Sequence, residues 1–153
     1  TEDTFGLGEA GQTIYLQARW ALRRPGDIIF DVGYGVHGTR TLNLVEERNA
    51  SLRIILVVNT CRPVTATAEL LQDYVAELGV PDAFISNSHL SEETTPAVVD
   101  RGAEITYQVA ASCQRPLEAV AVSAAFLQRY PDYQPPHQLP LRVLERRLPE
   151  AFW

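Results

Sequence analysis

The sequence predicts an α/β fold, a mostly parallel sheet of about four strands with helices on both faces. Three observations carry this. Apolar runs at residues 28–32, 52–58, 82–86 and 116–122 are too short to span a membrane and are bounded by turn residues, as buried strands are. Helical segments alternate with them, which implies parallel strands joined by right-handed crossovers. The run Ile54-Ile-Leu-Val-Val58 is unbroken, as suits a strand covered on both faces.

Each element has its own signal. Residues 14–24 place Ile14, Ala18, Ala21 and Leu22 on one helical face, and Pro25-Gly26 stops the helix. The run 28–32 is interrupted by Asp31 and runs into Gly33 and Gly35. An acid in a buried strand needs a partner, a hydrogen bond or a cation. Asp31 therefore either caps the following turn or belongs to a metal-and-phosphate site. Residues 38–48 read as a short helix burying Leu42 and Val45. Thr65 is read as the cap of a helix with the stripe Leu70, Leu71, Tyr74, Val75 and Leu78, ended by Gly79. Pro96, with Thr95 before it, opens a helix running to about Ser112. A short helical piece lies near residues 124–129. Residues 1–130 are thus read as one α/β domain. Residues 131–140 hold four prolines, and 141–153 read as a basic amphipathic tail packing back on the domain.

Composition narrows the function classes. A chain of 153 residues can bury roughly 68–70% of its unfolded surface in one core. A net charge of −6 argues against a nucleic-acid surface, which needs clustered cations. The opening Thr1-Glu2-Asp3-Thr4 lacks the basic-then-apolar pattern of a secretory signal. A cytoplasmic location is expected, with Cys61 and Cys113 as reduced thiols in no metal spacing. All 13 basic residues are arginine; the chain contains no lysine.

Parallel sheets bind ligands beyond the carboxyl ends of their strands. The predicted ends carry Asp31-Val-Gly33, Asn59-Thr60, Asn87-Ser88-His89 and Ser123. Each Asn also suits a turn for local reasons. His37 and His89 have no partner at zinc spacing, and no nucleophile signature is present. Gly6 to Thr13 fits phosphate-loop spacing with Gln12 in the lysine's place, but no convincing strand precedes it.

Asp31-Val-Gly33-x4-Gly38-x-Arg40-x-Leu42, then Val58-Asn59-x-x-Arg62-Pro63, then Ser86-Asn87-Ser-His-Leu90-x-Glu-Glu-Thr-Thr95 form an ordered series across residues 20–120. This series resembles the carboxyl-terminal half of the MinD/ParA/cobyrinate-synthase-like (SIMIBI-class) P-loop ATPases. The resemblance implies a P-loop NTPase-like fold with ATP and magnesium as cofactors. It assigns Asp31 to the acid that orients magnesium. Gly33 matches the glycine of the loop facing the γ-phosphate, Gly35 stands two residues on where the family has an acid, Asn59 is taken with them as cofactor-binding, and Asn87 matches the Asn that contacts the adenine ring. The family's second acid is replaced, its signature lysine has no counterpart, and Gly6–Thr13 lies too close to Asp31. Two readings follow. One is a nucleotide-binding ATPase fragment. The other is a non-catalytic pseudo-ATPase acting as an interaction or scaffold module, with a protein partner or self-association. In either case this chain alone is not expected to hydrolyse ATP, because phosphoryl transfer depends on positioned positive charge.

Overall fold

The β-branched residues of the run 54–58 are stiff at χ1 and pack well on a pleated surface, and they form the first strand of a sheet. The computed structural model describes residues 25–33 and 52–145. The chain divides into two compact units, Thr1–Leu52 and Arg53–Trp153, each considered by itself.

In the second unit the order is β1 (Ile55–Val58), α1 (Ala68–Leu78), β2 (Ala83–Ser86), α2 (Pro96–Ser112), β3 (Leu117–Ser123), α3 (Ala124–Arg129) and β4 (Leu141–Leu144). All three ladders are parallel and the spatial order is β1-β2-β3-β4. The fold is α/β with a four-stranded, all-parallel sheet.

Its membership differs from the sequence reading at both ends. Residues 28–32, expected as the first strand, carry no regular structure; Ile29 is 95% exposed, and Asp31 and the following Gly33 are exposed. A short apolar run becomes a strand only where a neighbouring backbone pairs with it, and none of the sheet's ladders includes these residues. The fourth strand is Leu141–Leu144, read from sequence as part of the amphipathic tail. Its four residues pair with Val120 to Ser123.

The described helices occupy one face, not two. Ladder partners share a face, so Leu56, Phe84, Val58, Ser86, Val120 and Val122 point the same way. Val58 and Phe84 cluster with Leu71 and Val75 of α1 and with Val109 and Ala110 of α2. Val120 and Val122 cluster with Val99 and Ala103 of α2 and Phe126 of α3. Ile55 and Val57 alternate to the opposite face and are 40% and 56% exposed, whereas Ala83 and Ala119 on that face are buried. The strand order explains the layout, because right-handed crossovers that always advance in one direction place every helix on the same side.

Local signals set the helix ends. Thr67, not Thr65, caps α1: its Oγ1 accepts from Leu70 N–H at 3.3 Å. Pro63–Thr65 instead forms a tight turn, in which the Thr65 hydroxyl donates to the Asn59 carbonyl at 2.6 Å. Gly79 ends α1 at φ +92°, a conformation open to glycine. Pro96 opens α2 as expected, although the Thr95 side chain makes no capping bond. Ser123, read as a rim residue, is used as a cap, its Oγ accepting from Phe126 N–H at 3.1 Å. Among the described residues no helix is long and apolar enough to cross a membrane.

Candidate binding rim at the carboxyl ends of the strands

The turns after β1 and β2 are stitched to each other and to α2. Asn87 N–H donates to the Val58 carbonyl at 2.7 Å, extending the ladder one residue past β2. Beyond it, Thr60 N–H donates to Ser88 Oγ at 3.0 Å, and the two hydroxyls lie 3.0 Å apart. Both side chains are buried. They can be because Gly102 faces them from α2: a Cβ there would overlap the Ser88 side chain and come within 3.1 Å of Thr60 Oγ1. The glycine is required for close approach rather than for backbone freedom.

Asn59 completes this frame. Its Oδ1 accepts from Cys61 N–H at 3.0 Å and from His89 N–H at 3.4 Å, and its Nδ2 donates to the His89 carbonyl at 3.4 Å. Both ends of the amide are thus engaged, locally and across to the next strand's turn. The β2–α2 loop is held from its far side by Arg129, which donates to the Glu92 carbonyl at 2.5 Å and the Thr94 carbonyl at 3.3 Å.

Asn87 differs from its neighbours. It is half-buried, and among the described residues its side-chain amide makes no hydrogen bond. Alternation along the chain puts it on the side away from the described helices, as Ser86 and Ser88 face them. The Ser86 hydroxyl is fully buried and finds no partner among the described residues.

The remaining sequence expectations fall in the first unit or outside the described residues. Asp31 and Gly33 are exposed in an irregular segment, so the buried acid expected there is not found. Gly35, the Gly6–Thr13 stretch, Arg40, the helices read at 14–24 and 38–48, and the tail from 146 onward lie outside the described residues. Among the described residues no group of three or more His, Cys, Asp or Glu side chains gathers as metal ligands do. A cleft of about 230 Å³ beside the rim is lined by Thr60, Cys61, Leu90, Val98 and Arg101.

Sequence reasoning placed Asn59, Asn87, Ser88 and His89 at strand ends, and there they are. It missed Gly102, whose signal was a glycine inside a predicted helix, a position that costs about 1 kcal/mol relative to alanine and so asks for a packing reason. Compared with known proteins, the chain matches no family model, no curated protein and no solved structure.

Proposed function

We propose that the carboxyl rim of the sheet binds an adenine nucleotide, with Asn87 reading the base. The observation that carries the reading is the Asn87 amide, which makes no hydrogen bond among the described residues, beside a frame whose other polar groups, Asn59, Thr60 and Ser88, are spent on one another. A carboxamide both donates and accepts, as an adenine edge requires. The resemblance to SIMIBI-class ATPases supports the choice of ligand, and the parallel sheet is compatible with a P-loop NTPase-like domain. Magnesium binds through one or two carboxylates, several waters and the phosphates themselves. By the resemblance alone that carboxylate is Asp31, an exposed residue of the first unit. Without lysine the chain binds the nucleotide but does not turn it over.

The test is a titration with ribose-labelled ATP and magnesium, with phosphate release followed in parallel. Saturable binding is expected, with ATP preferred to GTP and no turnover. Asn87→Ala should weaken binding roughly tenfold, about what two lost hydrogen bonds contribute. Equal binding by the variant would remove the base-reading role. Magnesium-dependent turnover abolished by Asp31→Ala would show a complete catalytic site.

The exposed Ile55 and Val57 favour the second reading, a non-catalytic interaction module. That reading predicts no saturable nucleotide binding.

A further inference from the structure

Residues 130–140 cross α2 as a strap between α3 and β4, and two clasps hold it. The Tyr133 hydroxyl donates to Asp100 Oδ1 at 2.8 Å. Farther along, His137 Nε2 lies 2.7 Å from Glu104 Oε2, and the His137 ring stacks on Tyr107 at 3.9 Å and 10°. Asp100, Glu104 and Tyr107 share one face of α2. At the second clasp the strap's backbone is strained: His137 and Gln138 sit in the left-handed region, at φ +57° and +52°. Directly after it Leu139 packs into both core clusters, Val120 N–H donates to the Pro140 carbonyl at 2.9 Å, and β4 begins. A strained turn, pinned by one histidine–carboxylate contact and a stack, therefore delivers a four-residue edge strand to the sheet.

We propose that His137, Glu104 and Tyr107 form a pH-dependent latch that holds β4 in the sheet, tight when the imidazole is charged and looser when it is neutral. The imidazolium attracts the Glu104 carboxylate and the face of the Tyr107 ring, whereas the neutral ring keeps only a hydrogen bond and the stack. Histidine is the side chain that changes charge near neutrality. Two neighbouring groups are shifted away from that range. Glu104 is held below the usual carboxylate range by the hydrogen bond from His137 and then by Gln108, whose Nε2 donates to its Oε1 at 3.1 Å. Its contribution is present above the ordinary carboxylate range and is lost only as pH falls through its lowered value. Tyr133 is pushed well above its usual range by burial and then by Asp100, so the first clasp stays protonated and acts as a fixed hinge.

Hydrogen exchange on the whole chain tests this, read as protection factors corrected for the intrinsic pH dependence of exchange. The pair is half-exposed, with side chains 34% and 46% accessible, so its effect is modest. Protection of the β4 amides should fall about twofold to fivefold between pH 5.5 and 8. Protection of Phe84 and Ile85 in β2 should stay constant. His137→Phe keeps a ring against Tyr107 but cannot titrate, and should make β4 protection independent of pH; Glu104→Gln should do the same. A flat wild-type response at β4, a response shared equally by β2, or one that survives in His137→Phe would each overturn the latch.

Discussion

Gly102→Ala should destabilise the protein by about 2–4 kcal/mol, against the gain of about 1 kcal/mol that alanine normally brings to a helix interior. The added methyl meets the Ser88 side chain, which is buried and accepts the Thr60 N–H. Ser88 must move away, leaving Thr60 N–H without its partner in a buried site. Overpacking and an orphaned donor therefore add, and together they outweigh propensity. Urea denaturation measures the loss. Removing the obstacle should recover part of it, so Gly102→Ala with Ser88→Gly should cost less than the sum of the two single changes. A Gly102→Ala protein as stable as the parent would refute the close-approach argument.

Phe84→Ala should cost about 3–5 kcal/mol, a large part of the stability of a domain this size. Phe84 is fully buried on the helix-covered face, against Val58, Leu71, Val75, Val109, Ala110 and Leu117. Three strands and two helices meet around it, so collapse into the cavity would require several elements to shift together. Val57→Ala, on the opposite face and 56% exposed, should cost no more than about 1 kcal/mol. Calorimetric or urea unfolding of the two variants therefore tests the one-sided arrangement of the helices. Comparable losses from both would mean that the second face is also packed.

What the sequence revealed depended on whether the signal was local. Gly79, Pro96 and the stripe through Leu71 and Val75 identify α1 and α2 because start, stop and period are all written within a few residues. β2 and β3 were legible as apolar runs between breakers. β4 was not: Leu141-Arg-Val-Leu144 is short, follows Pro140 and leads into an arginine-rich tail, so its pairing with β3 is decided across the sheet. The run at 28–32 failed in the opposite sense, having composition without a partner. The same limit applied to the faces. An unbroken Ile54–Val58 suggested cover on both sides; the described helices take one side, as their strand order requires, and the helices expected at 14–24 and 38–48 lie outside the described residues. At the rim, Asn87 could be found as a strand-end amide. The Thr60–Ser88–Gly102 contact could not, because it joins two turns and a helix that approach only after folding.

The uninterrupted order β1-β2-β3-β4 also bears on how the sheet is assembled. Every strand pairs with the one before it in the chain, across 28 residues from Ile55 to Ala83 and 21 from Val120 to Leu141. No pairing has to wait for a segment synthesised much later, so loop closure stays short at each step. As the chain emerges from the amino terminus, each strand meets a template already in place. β4 templates no other described strand, which makes it the last to dock and the first to leave. In pulsed-exchange refolding, Val58 and Phe84 should be protected before Val143, and the reverse order would mean that assembly starts from the carboxyl-terminal edge.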